Sequence, residues 1–146
     1  MATFRDVGHA RYIMGRLAYG KDLLEELTSV CIAGGVRHGR VEALGAVQRA
    51  RVGFYNQSSR EYEFLEFDQP LEISNLVGNV SIRDGKPMVH AHITLTDREG
   101  KAVGGHLAPG TIVFATEFIL QVLEVKAGSE FIRSFDDETG LPLWKM

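Results

Sequence analysis

Only one cysteine, Cys31, occurs in the 146 residues, so no internal disulfide can staple the fold. No apolar run approaches the roughly 20 residues that a membrane-crossing helix needs. The opening MATFRDVGHARYIMG carries charge where a secretory leader requires its apolar segment, and the expectation is a cytoplasmic protein with no membrane partner. A basic surplus is also missing: 16 Lys and Arg stand against 19 Asp and Glu, for a net charge of −3. Without that surplus nothing drives counterion release on a duplex, and nucleic acid is not an expected partner. Repeats, low-complexity stretches and linkers are absent too, which leaves a single domain over residues 1–146 as the expected organisation.

What is present is ordinary globular material, 45% hydrophobic and 24% charged with a mean hydropathy of −0.05, enough to bury one core. ARYIMGRLAYG interleaves apolar residues with Arg11 and Arg16 and reads as a strand. In KDLLEELTSVCIAGG, Leu23, Leu24, Leu27, Val30 and Cys31 form the stripe of a helix with one buried face. Asp22, Glu25 and Glu26 suit the positive end of that helix, and Gly34 with Gly35 supply its stop. Cys31 on the stripe reads as a small core residue.

From Gly39 the pattern turns to β: GRVEALGAVQRARVGFYN, then EYEFLEF, then PLEISNLVGNVSI, with Pro70 at the head of the last. Asp84-Gly85 is a strong hairpin signal and joins two antiparallel strands. TIVFATEFILQVLEV is almost wholly apolar, which predicts a strand buried on both faces. The tail SFDDETGLPLWKM holds the single Trp, and Pro142 argues for an edge segment rather than a helix. The expected fold class is α+β, a mostly antiparallel β-sheet with one principal amphipathic helix.

Three of the five histidines fall in VHAHITLTDREGKAVGGH. On a strand His90 and His92 project from one side, their Cα atoms about 6.6 Å apart. A three-residue turn at Arg98 to Gly100 sets His92 opposite His106; a four-residue turn sets it opposite Gly105, with a bulge at Gly104-Gly105 able to re-aim His106. In both registers three imidazoles stand on neighbouring strands. Three neutral imidazoles with an open fourth position make a zinc site of the catalytic kind, in which bound water is acidified toward pH 7. Three imidazoles do not distinguish zinc from another divalent metal.

PMVHAHITLTDREGKAVGGHLAPGTIVFATEFIL resembles the signature of the plants and prokaryotes conserved (PPC) domain family, in which a His-x-His strand leads through an acidic, glycine-containing turn to Gly-Gly-His-Leu. HGRVEALGAV, PLEISNLVGNVS and DDETGLPLW resemble further segments of the family, so the likeness covers most of the chain. The resemblance implies an α+β fold assembled as a homotrimer, with a metal ion, zinc first, on His90, His92 and His106. In plants the domain accompanies basic AT-hook segments; this chain carries no such hook.

Glu117 sits inside the apolar FATEFIL, where an unpaired carboxylate is costly to bury, and is the candidate to orient a histidine or act as general base. Arg37, His38 and Arg40 form a basic loop cluster able to hold an anionic substrate or a neighbouring subunit's acid, with solvated loop charge the commoner outcome for such a cluster, while Arg49, Arg51 and Arg60 read as the wet face of a sheet. Two functions compete: a metal-dependent hydrolase or lyase acting on a small-molecule substrate, and a non-catalytic oligomeric interaction module. A DNA-associated regulatory role is disfavoured by the charge.

Overall fold

The structure is a computed structural model that describes residues 2–146. Its elements run β1 (Gly8–Arg16), α1 (Leu23–Ala33), β2 (Gly39–Asn56), β3 (Glu61–Phe67), β4 (Leu71–Arg83), β5 (Lys86–Thr96), β6 (Ala102–Leu107), β7 (Ile112–Glu124), β8 (Arg133–Asp136) and β9 (Leu141–Trp144). The fold is therefore α+β, mostly antiparallel sheet with one helix among the described residues. Among the described residues no helix is long and apolar enough to cross a membrane.

The large sheet runs β1-β7-β2-β4-β5-β6, with β3 on β2. The 18-residue β2 organises it, because each of its edges serves two strands. On one edge β6 pairs with Val52 and Gly53, and β7 takes over from Arg49 down to Gly39. β3 pairs along Ala50–Asn56 and β4 along Gly39–Val47. Since β6 also pairs with β5, and β5 with β4, the sheet closes on itself through β2. The hairpin between β4 and β5 turns at Asp84 and Gly85, with φ of 51° and 76°, the left-handed pair that a two-residue turn demands.

Inside the closed sheet lies one hydrophobic cluster. It gathers Val41, Val47, Leu76, Ala91, Ile93, Leu95, Leu107, Val113 and Leu120 from the strands, with Leu23, Leu27 and Cys31 from α1. The helix packs against β5. Asp22 caps it: Oδ1 accepts from the N–H groups of Leu24 and Glu25 at 3.0 and 3.1 Å, and Oδ2 accepts from Gly110 N–H at 2.6 Å. One side chain thus starts the helix and pins the loop between β6 and β7.

Two expectations change. β7 is buried on one face only: Val113, Thr116, Phe118, Leu120 and Val122 point inward, but Phe114, Glu117 and Ile119 are exposed, because the hydrophobic cluster lies on the inner side of the sheet and the outer side of β7 is left uncovered at these positions among the described residues. The tail is not an edge strand of the large sheet: it forms its own hairpin, β8 on β9, docked over β4.

Candidate metal centre

Strand parity aims the histidines. Val89, Ala91, Ile93 and Leu95 of β5 enter the core, so His90 and His92 emerge on the outer face. At the next turn Asp97 N–H donates to the Lys101 carbonyl at 3.1 Å, and Asp97 Oδ1 accepts from the N–H groups of Glu99 and Lys101 at 3.0 and 2.8 Å. Arg98 to Gly100 form the three-residue loop, and His92 faces His106 directly. No bulge interrupts β6. Its glycines answer to crowding instead: a Cβ on Gly104 would strike the Ile93 carbonyl, and one on Gly105 would lie 2.7 Å from the Gly53 carbonyl oxygen.

His90, His92 and His106 each present a ring nitrogen, and these atoms lie within 4.8 Å of one another. Ring centroids are 5.4 Å apart for His90 and His92, 5.0 Å for His90 and His106, and 5.5 Å for His92 and His106. His92 is exposed; the other two are half-buried. Burial, then Arg133, His106 and His92, push the His90 pKa down to about 4. Burial, then His92 and Arg133, lower that of His106. Both shifts favour the neutral ring, the form that ligates a metal.

The donor set fits a cation on an independent count. Nδ1 of His106 is buried and has no hydrogen-bond partner among the described residues, an arrangement native structures seldom leave uncompensated. Tyr62 covers the same ring, 5.0 Å between centroids, in the space that Gly53 leaves open.

Behind His90 stands Arg133, delivered by the C-terminal hairpin. Its Nε donates to Ser81 Oγ at 2.9 Å, Nη1 to the Pro142 carbonyl at 3.0 Å and Nη2 to Asn79 Oδ1 at 2.9 Å; Nη2 also lies 3.3 Å from His90 Nδ1. A guanidinium only donates, so His90 Nδ1 is the accepting nitrogen. On the open side a shallow hollow of about 460 Å³ is lined by Arg40, Val77, Asn79, His90 and His92, among others, and no carboxylate is included. Arg133 and Asn79 escaped the sequence reading. The alternation IRSF–TG–LPLW hints at a hairpin, but nothing local says that it folds back onto β4.

The remaining candidates lie elsewhere. Glu117 is not brought to the trio: it is exposed on β7 opposite Arg16 and Leu44, three strand spacings or about 14 Å from β5 along the sheet. The basic loop cluster divides. His38 is buried and its Nε2 accepts from Phe131 N–H at 3.1 Å, Arg40 pairs with Glu42 at 2.5 Å, and Arg37 faces solvent. Burial, then Arg37, lower the His38 pKa, against an opposing pull from Glu130. Arg51 is not simply wet: its guanidinium lies 3.6 Å from the Phe64 ring centroid. Cys31 is a core residue, its thiol pushed up to about 11 by burial.

Known proteins share this arrangement of strands. A metal-containing protein from Archaeoglobus fulgidus superposes with a TM-score of 0.91 at 37% identity over 100% of both chains. A plant- and prokaryote-conserved (PPC) protein from Pyrococcus horikoshii does so with a TM-score of 0.90 at 30% identity, over 100% of this chain and 98% of the other. Among curated proteins, a bifunctional GlmU protein of a Synechococcus strain is 32% identical over 126 residues, 86% of this chain but 18% of its own length. The GlmU protein of a second strain shows 32% identity over 134 residues, 91% of this chain and 20% of the other. The chain thus spans about a fifth of the length of those curated relatives. Residues 5–124 match the family model described as the Plants and Prokaryotes Conserved (PCC) domain, and the chain belongs to that family.

Proposed function

We propose that the chain is a metal-binding domain whose ion, zinc or another divalent metal, is held by His90, His92 and His106. The observation that carries this is the convergence of three ring nitrogens within 4.8 Å, with Nδ1 of one ring buried and unpartnered among the described residues. The relative described as metal-containing, 37% identical, supports it. When bound, such an ion supplies acidified water near neutral pH or polarises a carbonyl, the chemistry of a hydrolase or lyase acting on a small molecule. This chain's residues supply the positioning. Tyr62 shields His106 from water, Arg133 and Asn79 hold His90, and the hollow beside His90 and His92 gives access.

A non-catalytic role is the second reading, and a specific feature favours it. The outer faces of β1, β7 and β2 leave Tyr12, Met14, Leu44, Phe114 and Ile119 exposed, a surface suited to assembly with further copies of this chain as a homotrimer. Neither reading requires DNA, and a net charge of −3 does not favour it.

Metal analysis of untagged protein purified without chelators tests the first premise. The expected result is one ion per chain in the wild type and loss of the ion in His92→Ala. His92 is exposed, so that variant is expected to stay folded. Wild-type protein without metal after exposure to zinc, or a variant that retains it undiminished, overturns the assignment. Hydrolytic activity that disappears with the ion while folding and assembly persist favours the enzyme; an unchanged assembly with no activity in either form favours the module.

A further inference from the structure

Arg133 is a half-buried cation with no carboxylate at ion-pair distance among the described residues. Neutral acceptors hold it, namely Ser81 Oγ, Asn79 Oδ1 and the Pro142 carbonyl, and they fix the guanidinium without cancelling its charge. The hollow on the open side of His90 shares Asn79 and His90 with Arg133's contacts and has no acid in its lining. Of the two cations beside the histidines and their hollow, Arg40 is paired with Glu42, and Arg133 alone is left without a carboxylate among the described residues. A bound divalent ion adds to that excess charge, and neutral imidazoles do nothing to offset it.

Hydrogen bonding leads to the same place. His90 Nδ1 accepts from Nη2 of Arg133. If an ion binds Nε2, the ring proton must sit on Nδ1 and the acceptor is lost; if it binds Nδ1, the lone pair itself is used. Whichever nitrogen ligates, loading the site leaves a guanidinium N–H seeking an acceptor beside the ion. An anionic oxygen group satisfies that N–H and lowers the excess charge at once.

We propose that Arg133 is the anchor of an oxyanion subsite at the three-histidine centre, and that the ligand taken there is a carboxylate or phosphoryl group. The proposal rests on the metal assignment above and names the ligand class of the same site. Arg133 is a binding residue, brought to β5 by the β8–β9 hairpin from 43 positions away in sequence.

The test follows the Arg133 Nε–H signal by ¹⁵N NMR, assigned by its loss in Arg133→Lys. Acetate and inorganic phosphate are titrated in parallel into zinc-loaded and metal-free protein, with sodium chloride at matched ionic strength as control. A saturable shift with acetate or phosphate and none with chloride supports the subsite. The stronger of the two identifies the ligand as carboxylate or phosphoryl. By calorimetry, zinc-loaded Arg133→Gln should keep its ion yet bind the same anion at least about tenfold more weakly. An equal shift with chloride, no shift in either form of the wild type, or undiminished anion binding by a zinc-loaded Arg133→Gln overturns it. If Arg133→Gln does not fold, the wild-type titrations decide alone. If the wild type takes up no zinc, the metal assignment fails separately; a saturable oxyanion shift in metal-free protein then still sustains the anchor, and its absence removes that too.

Discussion

His90 is subject to two influences that both disfavour its protonated form: the burial that half-covers the ring and the guanidinium at 3.3 Å from Nδ1. With the native pKa at about 4, below the ordinary 6.5, the unfolded chain takes up the proton first as the solution is acidified. The contribution to stability is therefore complete above pH 6.5 and is lost progressively as pH falls toward 4. In metal-free protein, long-range ¹H–¹⁵N NMR should find the His90 ring still neutral at pH 5.5, and Arg133→Gln should shift its titration upward while burial keeps it below 6.5. A wild-type His90 that titrates at the ordinary imidazole value removes the premise that the site is kept ready for a cation. His38 follows the same sign for a different purpose, because its neutral Nε2 is the acceptor that ties Phe131 to the sheet.

Between elements, the spacing of β5, β6 and β2 decides whether three rings meet. Gly104 lies against the Ile93 carbonyl and Gly105 against that of Gly53, so β6 is wedged between two strands with no room for a side chain at either glycine. Gly104→Ala should force β5 and β6 apart, costing about 3 kcal/mol in denaturant unfolding and, since His106 is two residues away, weakening zinc binding in the same variant. A variant with wild-type stability and full metal content shows that the strands are not so constrained. Much at this scale was legible in the sequence. Strand parity put His90 and His92 on one face, and the length of the turn after Asp97 offered the observed register. The purpose of the glycines was not legible, because a close backbone approach and a bulge call for the same residue. Nor was His38's: in VRHGR a histidine between two arginines looks solvated, and only Phe131, 93 positions on, makes it an interior acceptor. Arg133 fails for the same reason, its partners Asn79, Ser81 and His90 being remote in the chain.

For the whole molecule, β7 carries the lesson about what one chain can show. Its apolar outer residues predict burial, and within a single copy they are left exposed: Phe114 at 55% and Ile119 at 40%, with Met14 at 74% and Leu44 at 60% on the flanking strands. Across the sheet Ile119 stands between Met14 of β1 and Glu42 of β2, and Glu117 between Arg16 and Leu44, so the face is a mixed band of apolar and charged positions on adjacent strands. A band of this kind costs solubility unless something covers it, and further copies of the same surface are its natural complement. Light scattering on the wild type should return three times the 16.2 kDa chain mass, and Ile119→Lys should return the monomer. The introduced ammonium is solvated beside Glu42 in the monomer but would have to be desolvated in the assembly, so the change should spare folding and weaken association. Far-ultraviolet circular dichroism of the variant should match the wild type. A wild-type monomer at micromolar concentration, or a trimer that tolerates the lysine, rules out this face as the interface. The metal content of the dissociated variant then reports whether three histidines from one chain suffice to hold the ion.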